Sequence, residues 1–174
     1  MTTLDNGQTA QILRPGARFM LSHPAHILAQ GFGSGLSPSV PGTMGTLFAW
    51  LSFNIFSDRW PAFFTPWNWL LIIVIGFVAG IWACHITGKN LGVADHGSMV
   101  WDEIIAFWLV LVLVTPAGAQ AQTAAFLIFR FFDMVKPPPI RYFDQRFKGG
   151  FGVMFDDVVA AFFSLLCIAL WRSW

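Results

Sequence analysis

Residues 69–86, WLLIIVIGFVAGIWACHI, are 18 consecutive positions without an Asp, Glu, Lys or Arg. A run this long and apolar suits a helix crossing a hydrocarbon layer of about 30 Å. Within that layer a helix satisfies its own backbone N–H and C=O groups, so the stretch predicts a membrane-spanning helix and an all-α fold. Composition extends the argument to the whole chain. It is 56% hydrophobic and 11% charged, with mean hydropathy +0.62, whereas soluble domains run near 25% charged and about 45–50% apolar. Nineteen Phe and nine Trp fit lipid-facing helices with aromatic belts. A net charge of +1 argues against a nucleic-acid partner. Cys84 and Cys167 lie in apolar runs without metal-ligand spacing, so they read as packing residues.

Four further apolar segments accompany the first: 46–56, 104–114, 124–135 and 151–171. Together they predict a polytopic bundle of about five membrane segments, with 46–56 short or re-entrant. Residues 1–20 read as a disordered polar tail without signal-peptide features, and 21–174 as one membrane-embedded domain. Ser22 and Pro24 predict a short helix through Gln30 that stops at Gly31 and lies on the membrane. A cytoplasmic N-terminus puts seven bases (Arg14, Arg18, Lys89, Lys136, Arg141, Arg146 and Lys148) inside and two (Arg59 and Arg172) outside, as the positive-inside rule requires.

The same topology gathers acids that the rule did not use. Asp102 and Glu103 open the third segment, Asp133 closes the fourth, and Asp156 and Asp157 open the fifth. Five carboxylates thus converge on the cytoplasmic side. Each is costly near hydrocarbon, about 2.5–3.5 kcal/mol at a helix centre. A hard divalent cation with oxygen ligands is an economical remedy. Asp156 and Asp157 also have a plain reading as helix N-terminal charges favoured by the dipole. Arg130 and Asp133, three residues apart, share a helical face and can pair. Arg130 lies six residues before Lys136, about 9 Å deeper at the helical rise, where a purely structural pair is expensive. Lys136 precedes Pro137-Pro138-Pro139, which predicts a helix stop followed by extended chain; the lysine also fits a headgroup anchor.

Residues 31–45 are rich in Gly, Pro and Ser. They predict an irregular loop whose free N–H groups, with Gly33, Ser34, Gly42 and Thr43, can surround an oxyanion. The loop lacks a Walker ending, and no strand precedes it; a ligand-free connection is the plainer reading. His96, in another Gly-containing loop, reads as a surface residue that can also serve as acid or base. Acids that hold a cation, beside bases that hold oxyanions, describe phosphoryl chemistry. Buried acids in interrupted helices also describe an ion- or proton-coupled transporter, although these acids lie at one interface rather than the midplane.

Three stretches carry a family resemblance: HPAHILAQGFGSGLSPSVPGTMGTL (23–47), GVADHGSMVWDEIIAF (92–107) and FRFFDMVKPPPIRYFDQRFKGGFGVMFDDVVA (129–160). In this order they resemble the phosphatidylglycerophosphatase A family, bacterial membrane phosphatases that convert phosphatidylglycerophosphate to phosphatidylglycerol. The resemblance implies Mg²⁺ dependence and a multi-pass protein of the bacterial cytoplasmic membrane with its site facing the cytoplasm. It implies a phospholipid substrate and leaves protein partners open. It makes Asp102, Glu103, Asp133, Asp156 and Asp157 the pool for metal ligands and base, with His96 a further catalytic candidate. Arg130, Lys136, Thr43, Gly42, Gly33 and Ser34 become the candidates for phosphate binding.

Overall fold

The computed structural model describes residues 14–172, without the side chains of residues 139, 143–145 and 172. Its order is α1 (Ala17–Met20), α2 (Pro24–Ala29), a 3₁₀ segment (Gly31–Leu36), α3 (Pro41–Arg59), α4 (Pro66–Leu91), α5 (Trp101–Val114), α6 (Ala119–Val135), α7 (Pro138–Arg146) and α8 (Gly149–Arg172). No strand occurs among the described residues.

Prolines start α2, α3, α4 and α7. Their fixed φ suits a first helical turn, and their missing N–H costs nothing there. Two of these starts are also capped: His23 Nδ1 accepts from Ala25 N at 3.1 Å, and Thr65 Oγ1 accepts from Asn68 N at 3.4 Å. At the other end of α4, Gly92 adopts φ 74°, and Val93 N donates to Gly88 O at 3.1 Å. This left-handed cap turns the chain toward α5.

The short α5 is the core. Eleven of its 14 residues are buried, with α3, α4, α6 and α8 packed around it. Indole donors pin it in place: Trp101 Nε1 donates to Gly76 O at 2.9 Å, and Trp108 Nε1 to Ala49 O at 3.0 Å. Val100 N donates to Ala29 O at 2.8 Å, tying the start of α5 to α2. These bonds satisfy carbonyls and indoles where no water competes. Cys84 is buried and Cys167 exposed, both as free thiols.

α4 and α8 pack closely at the start of α8 because Gly150 has no side chain. A Cβ there would sit 2.0 Å from Ile81 O and 2.8 Å from His85 N. Gly150→Ala is therefore expected to push the helices apart and cost about 1–3 kcal/mol, read as a lower thermal midpoint in detergent.

The structure corrects the expectation of about five spans. Two helices, Pro66–Leu91 and Gly149–Trp171, are long and apolar enough to cross a membrane by length and composition. α5, with 14 residues, and α6, with 17, are short against about 20 residues for a span. α3 has 19 residues but includes Thr43, Thr46, Asn54 and Asp58. A helix enclosed by other helices is selected for packing rather than for reach. The outer surface is nonetheless apolar: Leu71, Val74, Ile75, Val78 and Trp82 on α4 and Phe162, Leu166 and Leu170 on α8 are exposed. A surface of this extent suits lipid.

Three local expectations also change. Pro41 nucleates α3, so Gly42 to Gly45 are helical rather than loop. After Pro137 the chain coils at once into α7 instead of running extended. α8 starts at Gly149, which places Asp156 and Asp157 about two turns inside it rather than at its mouth. Residues 1–13 of the expected tail lie outside the described residues, whereas Ala17–Met20 is helical and Phe19 stacks on His26 at 4.1 Å.

Candidate active site

The five acids divide into a group of three and two separate members. Asp102 and Glu103 stand in the first turn of α5, at the positive end of its dipole, where the N-cap residue Val100 makes no side-chain cap. Asp157 comes from α8. One carboxylate oxygen from each of Asp102, Glu103 and Asp157 lies within 4.8 Å of the others. Asp102 and Asp157 are 8% and 2% exposed. Asp102 Oδ1, Glu103 Oε2 and Asp157 Oδ2 are buried without a hydrogen-bond partner among the described residues. Burying even one such charge unpaired costs several kcal/mol. Three converging carboxylates, each with one buried oxygen that lacks a hydrogen-bond partner among the described residues, fit a hard divalent cation of the Mg²⁺ type.

The other two acids hold bases. Arg130 Nη1 pairs with Asp133 Oδ2, lies 3.6 Å from Glu103 Oε1, and donates to Thr46 Oγ1 at 3.4 Å. Arg130 Nε is buried without an acceptor among the described residues. Lys136 ends α6 at φ 44° and pairs with Asp156 Oδ2. The two ion pairs therefore place a guanidinium and an ammonium beside the group of three. Asp156 adjoins Asp157 in sequence, and Arg130 reaches Glu103.

Gly42 closes the arrangement from α3. A Cβ on it would sit 2.1 Å from Glu103 Oε1 and 3.1 Å from Arg130 Nη2. The first turn of α3, including Thr43, thus abuts the acids, and its N-cap residue Val40 provides no side-chain cap. First-turn N–H groups lack partners within their own helix and favour anions.

Gly33, Ser34 and His96 have other neighbours than the acids. Gly33 has φ 103°, and the space beside it meets Met20. Ser34 Oγ donates to Gly31 O at 2.8 Å. His96 Nδ1 accepts from Ser98 N at 3.1 Å and lies 2.9 Å from Ser98 Oγ, which in turn accepts from Gln30 Nε2 at 3.3 Å. With Arg14, Ser37 and Ser39, His96 lines a separate cleft of about 340 Å³. Gly31 and Gly35 of the loop pack against Val100 and Ser98. Thr46 was missed: its hydroxyl accepts from Arg130 and donates to Gly42 O at 2.9 Å. Its position four residues after Gly42 was the available signal.

Three carboxylates flanked by a fork-shaped base and a point-charge base, at one end of a bundle with an apolar exterior, fit the class of phosphate-ester hydrolases. The comparisons with known proteins agree. The phosphatidylglycerophosphatase A family profile matches residues 27–172. Phosphatidylglycerophosphatase A of Escherichia coli (strain K12) is 46% identical over 149 residues, covering 85% of this chain and 83% of that one. The Haemophilus influenzae protein of that name is 40% identical over 160 residues, covering 92% and 96%. A Bacteroides thetaiotaomicron protein, provisionally named a phosphatidylinositol-3-phosphatase, is 37% identical over 148 residues, covering 84% and 92%. No solved structure matches the chain. The chain belongs to the phosphatidylglycerophosphatase A family, and so to the phosphoric monoester hydrolases.

Proposed function

We propose that the chain is an Mg²⁺-dependent lipid phosphatase that removes the terminal phosphate of phosphatidylglycerophosphate, yielding phosphatidylglycerol and inorganic phosphate. The observation that carries this reading is the convergence of Asp102, Glu103 and Asp157 beside Arg130. These three acids would hold the ion. When bound, Mg²⁺ would offset phosphate charge and favour ionisation of a bound water.

The chain's own groups do the remaining work. Arg130, held by Asp133, uses its unpaired Nε to meet non-bridging phosphate oxygens. N–H groups from the first turn of α3 at Gly42 and Thr43 meet others. Lys136, held by Asp156, adds positive charge. One acid of the pool takes the proton of the attacking water. The bond between phosphorus and the terminal glycerol oxygen breaks, and that oxygen leaves as the hydroxyl of phosphatidylglycerol, taking up the proton that the acid received from the water.

The setting we propose is a bacterial cytoplasmic membrane with the N-terminus and the site on the cytoplasmic side. The apolar exterior of α4 and α8 supports it. Phosphate release from phosphatidylglycerophosphate by the detergent-purified protein tests the reading. Activity is expected with Mg²⁺, to vanish in EDTA and to return when Mg²⁺ is restored. Full activity in EDTA would refute the metal assignment. Phosphate release also separates this reading from a transporter, which would liberate none.

A further inference from the structure

Beyond the acids, the junction of α6 and α7 forms a groove of about 480 Å³ lined by Val135, Lys136, Pro137, Pro138, Arg141 and Tyr142. That size lies within the range of small-ligand sites, roughly 300–1,000 Å³. Its walls differ in chemistry. One continues an exposed apolar strip of α6, where Leu127, Phe131, Met134 and Val135 share a helical face. The other carries the cations Lys136 and Arg141.

The Arg141 side of the basic wall is carried by α7. The proline start of α7 fixes its direction, and Ile140 is fully buried beneath it. Arg146 Nη1 donates to Tyr142 Oη at 3.1 Å, with the guanidinium 5.9 Å from the ring centroid. The groove is thus half hydrocarbon-facing and half cationic, and its inner cation, Lys136, is the one paired with Asp156 beside the acids.

We infer that this groove binds the bridging phosphodiester of the lipid substrate, with Arg141 as its cation and the acyl chains along the α6 strip. The inference rests on the phosphatase reading above. Phosphatidylglycerophosphate carries two phosphates joined by one glycerol: a diester next to the acyl chains and a terminal monoester. The groove offers two cations, Lys136, paired with Asp156 beside the acids, and Arg141 on α7. Arg141 then selects lipids that carry a diester as well as a monoester phosphate, and it does not touch the reacting phosphorus.

The test uses soluble dihexanoyl phosphatidylglycerophosphate, the full-length protein in detergent, and two competitors. Dihexanoyl phosphatidylglycerol carries the diester alone, and inorganic phosphate stands in for the monoester. In Arg141→Gln, KM and the inhibition constant of dihexanoyl phosphatidylglycerol are both expected to rise roughly tenfold, the loss of one charge-assisted contact. The kcat should stay within about twofold, as expected for lost uniform binding, and inhibition by inorganic phosphate should not change. Arg141→Lys should recover part of the loss, and Lys148→Gln, outside the groove, should match the wild type. Unchanged KM in Arg141→Gln, or equal weakening of both competitors, would overturn the inference. A wild type that releases no phosphate would instead refute the phosphatase reading itself.

Discussion

Asp157→Asn is expected to lower phosphate release by roughly 10³-fold, at the upper end of what one preorganised electrostatic contact contributes to a transition state. The amide keeps the shape of the side chain but withdraws one of three converging oxygen anions. The same change should make the metal-free protein more stable. Neutralising one of three carboxylates 4.8 Å apart or closer relieves a like-charge repulsion of order 1–3 kcal/mol. Lost activity with a raised thermal midpoint in EDTA is the signature of a binding site held at the expense of the fold. An acid needed for packing would lose stability instead. Asp133→Asn should behave differently, because Asp133 acts through Arg130. An outer-shell partner of that kind costs about 10–100-fold.

The second large effect is expected at Gly42. Gly42→Ala adds one methyl group at a point 2.1 Å from Glu103 Oε1 and about 3 Å from the Arg130 guanidinium. Alanine is a better helix former than glycine, so propensity favours the variant. The site must nevertheless yield: Glu103 turns away, or α3 retreats and carries its N–H groups with it. Displacements of about 1 Å cost on the order of 10²-fold in rate, whereas the fold, with α3 otherwise intact, should unfold within a few degrees of wild type. Kinetics paired with thermal unfolding read the two quantities separately. A variant as active as wild type would mean that Gly42 does not border the reacting groups.

Much of this site was legible because burial makes charge expensive. Asp102, Glu103, Arg130, Asp133, Asp156 and Asp157 stood out as ionisable residues beside apolar runs, and the three-residue spacing of Arg130 and Asp133 encoded their pairing. The division of the five acids was not legible. It depends on the rotation of α8 about its axis, which sends Asp157 to Asp102 and Glu103 but Asp156 to Lys136. Adjacent residues on a helix point about 100° apart, and nothing local decides which one faces α5.

The number of spans was misread for a related reason. Apolar runs such as 104–114 look alike whether they face lipid or other helices, and α5 is buried on nearly every side. The N-terminal turn of α3 was hidden by its Gly and Pro content, although Pro41 in a first turn is favourable. The neighbourhood of His96 was only partly legible: its partner Ser98 is two residues away, but Gln30, which donates to Ser98, lies 68 residues from it and arrives only in the folded chain.

The central claim is that Asp102, Glu103 and Asp157 form the cation site while Asp133 and Asp156 hold the bases. Mn²⁺, a hard cation that takes the same oxygen ligands as Mg²⁺, makes this directly measurable by electron paramagnetic resonance titration of the purified protein. Wild type and Asp133→Asn are expected to bind Mn²⁺ with similar affinity, and Asp157→Asn to lose at least about tenfold. Mn²⁺ binding by Asp157→Asn as tight as that of wild type would contradict the account.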